Sequence, residues 1–259
     1  MSMPLVLSLD KSLDVLEAVA GHPEGIGTRA LAKQLRINLT SVHNIAATLK
    51  RRSYLRQDAG KRFLLGPRLM FLARHADFLN VMTEMALPHV RALAKHVGES
   101  VLLAALVDGR IVRLVYMVSP QALAVQEPED VGSGAYCTAT GKVLLAAMSA
   151  HTLEAYMKET PLVRYTPRTL ASPAKLRAEL KRVRHQGFAT TADELCEGVS
   201  GLAVPVSDPW RSIAAALGVG APTVRFGRKR REQVLNELRK TTALIARAWW
   251  SDRSKEKPS

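Results

Sequence analysis

Between residues 28 and 62, small polar and basic side chains have the chemistry needed to contact nucleic acid. Hydroxyl, amide and imidazole groups hydrogen-bond to base edges, while Lys and Arg pair with phosphates. The candidates for base contacts follow Asn38 closely and are Thr40, Ser41, His43, Asn44 and Thr48. Backbone contacts are expected from Arg51, Arg52, Lys61 and Arg62, and the candidate set is completed by Thr28, Arg29 and Asn38.

Other reactive residue types do not assemble into a recognisable catalytic or metal motif. Gly141 and Lys142 resemble part of a phosphate-binding loop, but that motif requires Ser or Thr where Val143 stands. Glu194 and Glu197 are close in sequence, yet no neighbouring Asp, His or Cys completes a catalytic set. We therefore predict no catalytic residue, no metal and no cofactor.

A first helix is predicted near the start of the chain. Leu9, Leu13, Leu16 and Ala20 recur at helical spacing after Ser8, which is a permissible N-cap. This spacing predicts the first helix of the chain.

Two further helices carry the candidate DNA contacts. The pattern predicts one helix over Thr28–Leu35 and another over residues 39–52, with Asn38 as the N-cap of the second. Only three residues separate them, which is the connection length of a helix-turn-helix. The apolar stripe of the second helix is formed by Val42, Ile45 and Leu49, so the polar candidates lie off it.

A β-hairpin is predicted after these helices, with strands over residues 54–57 and 62–65 around a turn-rich tip. The helical pattern alone is also compatible with a generic three-helix bundle. The hairpin favours a winged helix-turn-helix, in which the hairpin is the wing.

The charge balance favours a polyanionic partner, with nucleic acid ahead of an anionic membrane. The 259-residue chain has 37 Lys and Arg against 23 Asp and Glu, a formal net charge of +14. Residues 1–74 contain twelve basic and five acidic side chains, and so half of that excess. The two cysteines do not make a disulfide scaffold, and no long apolar run is present, so we expect a cytoplasmic protein.

The remaining chain mixes helices and strands. A connecting helix is predicted over residues 68–77 and another helix ending at Gly98, followed by a hairpin of residues 101–107 and 111–118 around Asp108 and Gly109. Further predicted helices cover 142–148, Pro173–Gln186 and 223–250, and further strands cover 202–206 and 213–219. Ser172 is the expected N-cap of the second of these helices, and Gly187 is expected to end it. The expected fold class is α+β in two domains.

The motifs between Gly25 and Leu69 resemble the winged helix-turn-helix domain of IclR-family transcriptional regulators. The matching pieces are residues 25–35, 41–44, 47–49 and 54–66. Two departures are Arg36, where the family usually has glycine, and Asn38, where it often has proline. Arg36 is expected to strain the turn if this position requires a positive φ. Residues 137–146, 166–170, 187–189 and 194–206 are similar to the family's C-terminal domain, which has a GAF-like α/β fold.

This resemblance implies a domain layout and an effector pocket. The expected layout is a DNA-binding domain over residues 5–66, a linker helix over 67–80, an effector-binding and oligomerisation domain over 81–252, and a disordered tail over 253–259. The effector-binding residues that it implies are Thr138, Ala139, Thr140, Thr191, Glu194, Gly201, Gly218 and Gly220.

Glycine at positions 218 and 220 predicts the ligand class. Relatives that bind small carboxylates tend to have serines there, so a roomier and less polar pocket is expected. Such a pocket suits an aromatic or otherwise bulky organic acid, whose anionic group would be held by Thr138, Thr140 and the adjacent helix start.

The sequence therefore predicts a sequence-specific DNA-binding regulator that a small organic acid modulates, acting as a homodimer or a dimer of dimers on a catabolic operon. Whether it activates or represses stays open. The alternative is a small-acid-processing enzyme with a basic N-terminal appendage, and it lacks a catalytic set. An RNA-binding protein is disfavoured because aromatic stacking motifs are missing.

Overall fold

The computed structural model describes residues 6–73, 78–107, 110–126, 134–207 and 213–250. The chain divides into two compact units, Met1–Asp77 and Phe78–Ser259. Each unit has its own hydrophobic core.

The first unit is a winged helix-turn-helix. Its core is formed by apolar side chains from the helices and the hairpin, among them Val15, Leu31, Val42, Leu55 and Phe63. Its elements in chain order are α1 (Leu7–Ala20), α2 (Thr28–Leu35), α3 (Leu39–Arg51), β1 (Leu55–Gln57), β2 (Phe63–Leu65) and α4 (Arg68–Ala73).

The turn between α2 and α3 follows the local sequence. Arg36 ends α2 in the left-handed conformation with φ of 54°, so this position does require a positive φ and the side chain strains it. Asn38 caps α3, because its side-chain oxygen accepts a hydrogen bond from the Ser41 N–H at 2.8 Å. These two residues set where α3 begins.

The wing is a short antiparallel hairpin that pairs Leu55 with Leu65 and Gln57 with Phe63. Its turn is closed by Asp58, whose carboxylate accepts hydrogen bonds from both the backbone N–H and the Nε of Arg62, each at 2.8 Å. A single bridge joins Ile26 to Phe63, so the wing is also fastened to the segment before α2.

The prediction for α1 was wrong about its cap. The helix begins at Leu7, and the preceding Val6 makes no side-chain cap. The core contacts come from Val15, Ala18 and Val19, whereas Leu9 is 59% exposed and Leu13 is exposed as well. Of the four residues whose spacing predicted the helix, Leu16 packs partly against the core.

The second unit is an α/β sandwich around one antiparallel sheet, whose strand order is β4-β3-β7-β6-β5. Its strands are β3 (Ser100–Val107), β4 (Arg110–Met117), β5 (Ala189–Ala192), β6 (Val199–Ser207) and β7 (Ile213–Pro222). Its helices are α5 (Phe78–Val97), α6 (Ala139–Ala147), α7 (Ala150–Glu159), α8 (Pro173–Gln186) and α9 (Arg228–Trp250), with short 3-10 turns at Ala135–Cys137 and Thr223–Arg225.

Alternating side chains separate the two faces of this sheet. On β3, Val101 and Leu103 belong to the core beneath α5 and α9, while Ala104 belongs to the core beneath α6 and α8. The face toward α6 also carries Gly201 of β6 and the glycines Gly218 and Gly220 of β7.

Several boundaries in this unit differ from the predicted ones. α8 matches its predicted bounds and ends at Gly187 in the left-handed conformation, but its expected cap, Ser172, makes no side-chain cap hydrogen bond. α6 begins three residues before the predicted Lys142, and α7 and β5 were not predicted at all. The predicted Asp108–Gly109 turn and the predicted disordered tail over residues 253–259 lie outside the described residues.

Candidate DNA-binding surface and ligand cavity

The outer face of α3 is polar and accessible. Val42 and Ala46 are fully buried and fix the inner face of the helix. The side chains that this orientation leaves exposed are those of Leu39, Thr40, His43, Asn44, Ala47 and Thr48, while Ser41 is half-buried. Of the predicted base-contact residues, only Thr48 has its hydroxyl engaged within the helix, donating to the Asn44 carbonyl at 2.9 Å.

An open cleft brings together predicted contacts from three elements. Its lining includes Thr28 and Arg29 at the start of α2, Thr40 and His43 on α3, and Lys61 at the wing tip. A helix N-terminus, basic side chains and the exposed face of a helix therefore share one surface. Such a combination suits a phosphate backbone running beside a groove.

Arg51, Arg52 and Arg62 are also exposed but lie in different surroundings. Arg51 ends α3, and Arg52 lines a separate small cleft with Arg68. Arg62 makes an ion pair with Asp58 at 2.8 Å, and hydrogen bonding from Arg62 lowers the pKa of the Asp58 carboxyl. The charge of Arg62 is thus already partly balanced by Asp58.

A chain of hydrogen bonds connects α3 to the wing. Lys50 Nζ donates to Gln57 Oε1 at 2.8 Å, and Gln57 Nε2 donates to the Lys61 carbonyl at 3.0 Å. The position of the wing tip relative to the exposed face of α3 is therefore fixed by side chains as well as by the hairpin.

The second unit contains a cavity of about 550 Å³ on the α6 face of its sheet. This volume is in the range of small-molecule sites. Apolar side chains that the sequence did not single out contribute much of its wall, including Leu102, Val125 and Leu195. Seven of the eight predicted effector-binding residues line it: Thr138, Ala139, Thr140, Thr191, Gly201, Gly218 and Gly220.

The first turn of α6 forms one end of this cavity. Thr138 caps the helix, since its hydroxyl accepts from the Gly141 N–H at 3.1 Å. The N–H groups of Ala139 and Thr140 belong to the turn in which a helix has no acceptor of its own. This end of the cavity is therefore suited to an anionic group.

Two glycines of the cavity floor make room for threonine hydroxyls. A Cβ on Gly218 would overlap Thr140 Oγ1, and a Cβ on Gly201 would lie 2.8 Å from Thr191 Oγ1. The prediction of open space at Gly218 was wrong, because Thr140 fills that space with its hydroxyl. At Gly220 a Cβ would lie 3.3 Å from Val125 Cγ1, so a side chain at this position would be crowded against Val125.

Glu194, the eighth predicted residue, is not part of the cavity lining. Its Oε1 lies 2.6 Å from Nζ of Lys142, which has no exposed surface, and Lys142 also lies 3.4 Å from Glu179 Oε1. The other carboxylate oxygen of Glu194 is buried with no hydrogen-bond partner among the described residues. Burial raises the pKa of Glu194, and the nearby Lys142 ammonium opposes that rise.

This buried pair joins the two walls of the cavity. Lys142 lies on α6, and Glu194 begins the segment whose next residues, Leu195 and Cys196, line the cavity. Thr169 fixes the same segment by donating to the Glu194 carbonyl at 2.6 Å. The importance of Lys142 was not predicted; an isolated lysine among the apolar residues of α6 was the available signal.

The cavity also contains both cysteines of the chain. Cys137 is buried and donates to the Gly134 carbonyl, and burial raises the pKa of its thiol to about 12. Cys196 is exposed.

In the part of the chain that the structure describes, no group of three or more His, Cys, Asp or Glu is arranged to hold a metal. Among the same residues, no helix has the length and apolar character to cross a bilayer.

The fold and these two surfaces define a class of protein, in which a winged helix-turn-helix domain precedes an α/β domain with a ligand-sized cavity. Family models agree with that description. The IclR helix-turn-helix domain matches residues 8–59, and the bacterial transcriptional regulator IclR C-terminal domain matches residues 75–247. The chain belongs to the IclR family of transcriptional regulators.

Individual relatives give the same result. The chain is 34% identical over 197 residues to the HTH-type transcriptional regulator TtgV of Pseudomonas putida, covering 74% of this chain and 73% of that protein. A crystal structure of an IclR transcriptional regulator from Silicibacter is 25% identical, with a TM-score of 0.64 over 93% of this chain and 95% of its own.

A second solved structure is an IclR homologue from Microbacterium hydrocarbonoxydans complexed with 4-hydroxybenzoate. It is 21% identical, with a TM-score of 0.59 over 93% of this chain and 98% of its own, and so it shows the shared fold. Because both domain models and the matched relatives are transcriptional regulators, the protein is a DNA-binding transcriptional regulator, and the enzyme alternative is set aside.

Proposed function

We propose that a small organic acid bound in the cavity of the second unit modulates the affinity of this regulator for its operator, and that the regulated genes serve a catabolic pathway. The observation that carries the proposal is the cavity itself, which combines apolar walls with the hydroxyls and free helix N-terminus of α6. Modulation requires the effector to bind the operator-competent and operator-incompetent states with different affinities.

We further propose that α3 reads base edges in the major groove. Its exposed polar side chains, near the helix start, are of the types that hydrogen-bond to bases, and the basic groups around them can hold the backbone. A single winged domain makes few base contacts, so useful specificity implies a homodimer or a dimer of dimers. The operator recovered by in vitro selection is accordingly expected to be two-fold symmetric.

Replacing Ser41 or Asn44 by Ala should weaken binding to the selected operator by about 1–3 kcal/mol for each base that the variant no longer hydrogen-bonds. Affinity is measured at one fixed salt concentration, because phosphate contacts make binding strongly salt-dependent. Ser12→Ala is a matched control, since the Ser12 hydroxyl donates to the Ser8 carbonyl of α1 and to no other group among the described residues. Unchanged affinity in both single variants would contradict the proposal that α3 contacts base edges.

Replacing Arg52 or Lys61 by Gln should flatten the salt dependence of log K by about one unit per contact per DNA-binding domain, with little change in sequence preference. Arg62→Gln should have a smaller effect on the slope, because Asp58 already balances the Arg62 charge. Arg177→Gln, which removes an exposed charge paired with Glu154 in the second unit, serves as the control. A changed sequence preference at an unchanged slope would contradict the assignment.

The cavity supports an aromatic acid as the effector. The ring would contact the apolar walls near Leu102 and Val125, and the carboxylate would meet the first turn of α6 at Thr138 and Thr140. A two- or three-carbon acid would leave most of the apolar wall unused. One solved member of the same fold binds 4-hydroxybenzoate, which has this chemistry.

Calorimetry should show that 4-hydroxybenzoate binds more tightly than pyruvate, and that the neutral 4-hydroxybenzamide binds more weakly than the acid. Gly220→Ala should weaken binding of the aromatic acid by about 1–3 kcal/mol, the usual cost of overpacking, which corresponds to a rise in Kd of about fivefold to 150-fold. Gly227→Ala is the control, because a Cβ there meets nothing within 4 Å. Tight binding of pyruvate alone, insensitive to Gly220→Ala, would overturn the pocket assignment.

A further inference from the structure

Leu39 is an apolar side chain on a surface that is otherwise polar and basic. It is the first residue of α3, immediately after the Asn38 cap, and it is 49% exposed. It lines the same open cleft as Arg29, His43 and Lys61. Leu39 is therefore exposed on the face of the unit where contacts from α2, α3 and the wing converge.

The position of Leu39 is what distinguishes it from other exposed leucines. A single exposed apolar side chain is common on protein surfaces and by itself indicates nothing. Here, however, the neighbours have the charges and hydrogen-bonding groups that hold DNA, and the core is already closed by Val42 and Ala46 on the same helix. Apart from Leu39 and Ala30, the cleft is lined by glycines and by polar or basic residues.

Only one chemical group in the major groove is apolar. Thymine presents a C5-methyl at its major-groove edge, while the other three bases present donors and acceptors. We propose that Leu39 is a specificity-determining residue that packs against a thymine methyl at one operator position. The proposal rests on α3 being the reading helix, and it adds a base-specific apolar contact to the hydrogen bonds of that helix.

The size of the effect follows from the area that one methyl contact removes from water. Burying one methyl-sized group corresponds to about fourfold in affinity. The contact depends on both partners, so removing the methyl from the DNA and removing the side chain from the protein should not have additive effects.

The test uses the full chain and an operator obtained by in vitro selection, in which each thymine of a half-site is replaced in turn by deoxyuridine. At one position the replacement should weaken wild-type binding about fourfold. Leu39→Ala should bind the thymine operator about as weakly as the wild type binds the uracil operator, and it should not distinguish the two DNAs. Leu39→Gln should also lose the preference for the methyl.

Two controls separate the proposal from a general weakening of binding. Leu65→Ala removes a leucine of similar exposure, 41%, that does not line the cleft, and it should keep the full dependence on the methyl. Thermal unfolding of each variant checks that the first unit is intact. The proposal is overturned if Leu39→Ala keeps the wild-type dependence on thymine, or if no thymine is sensitive to removal of its methyl. Failure to select any sequence would instead overturn specific DNA recognition itself, and the proposal with it.

Discussion

Replacing Lys142 by Met is expected to lower the free energy of unfolding of the second unit by about 3–5 kcal/mol, which is the usual cost of removing one partner of a buried ion pair. Lys142 is fully buried and lies 2.6 Å from Glu194 Oε1. Without it, the Glu194 carboxylate would remain in an apolar environment with its second oxygen already unpartnered among the described residues. The uncompensated charge, and not the change in packing, is the main cost.

Urea unfolding followed by tryptophan fluorescence measures this effect, because all three tryptophans, Trp210, Trp249 and Trp250, belong to the second unit. Lys158→Met is the control: Lys158 is exposed on α7, and its removal should change stability by no more than about 0.5 kcal/mol. The double replacement Lys142→Met with Glu194→Leu should recover most of the lost stability, since the unpaired carboxylate is removed as well and Glu179 keeps its ion pair with Arg182. A double variant as unstable as the single one would show that the charge is not the cause.

The pH dependence provides a second check with a defined sign. Burial raises the pKa of Glu194 above its ordinary value of 4.5, and Lys142 lowers it. In Lys142→Met the folded-state pKa should therefore rise further. A carboxyl whose folded pKa is raised contributes stability that is present below its unfolded pKa and is lost as the pH rises through its folded pKa. The deficit of Lys142→Met relative to wild type should consequently be largest at neutral pH and shrink as the pH falls toward 4.5.

Local chemistry explains which parts of the fold were predictable. Asn38 as a helix cap, the positive φ at Arg36 and the end of α8 at Gly187 each depend on a few adjacent residues, so the sequence alone reveals them. The sequence alone does not reveal which face of α1 is buried, because more than one set of its apolar residues could form a buried face. Packing against the other helices selects Val15 and Val19 over Leu9.

Of the candidate sites, too, the parts that depend on local sequence were predictable and the parts that depend on distant residues were not. The exposed face of α3 was predictable, since burial of Val42 fixes which side chains point outward. The Lys142–Glu194 pair joins residues 52 positions apart, and no local pattern brings a lysine of one helix to a carboxylate of a distant loop. Thr140 filling the space over Gly218 is likewise a consequence of how α6 packs on β7, which glycine in the sequence does not reveal.

Gly141→Ala should be among the most damaging single replacements in the second unit, although helix propensity alone points the other way. Alanine is favoured over glycine inside a helix by about 0.8–1 kcal/mol. At Gly141, however, a Cβ would overlap three backbone atoms of Ala135, and backbone cannot rotate aside as a side chain can. The 3-10 turn at Ala135–Cys137 and the start of α6 would have to separate. We expect the free energy of unfolding to fall by at least about 3 kcal/mol, at the upper end of overpacking costs.

The same displacement should weaken ligand binding, because Ala139 and Thr140 lie on the turn that must move and line the end of the cavity where we propose that the carboxylate binds. Calorimetry with 4-hydroxybenzoate and thermal unfolding of the full chain are the two measurements. Gly134→Ala is the matched control: the same change is made seven positions earlier, where the new Cβ meets only Leu195 Cδ1 at 3.6 Å and Cys137 Sγ at 3.8 Å, which are ordinary contacts. The prediction is contradicted if Gly141→Ala is as stable as Gly134→Ala and binds the acid equally well. The close approach of α6 to the Ala135 backbone would then not determine the position of that helix beside the cavity.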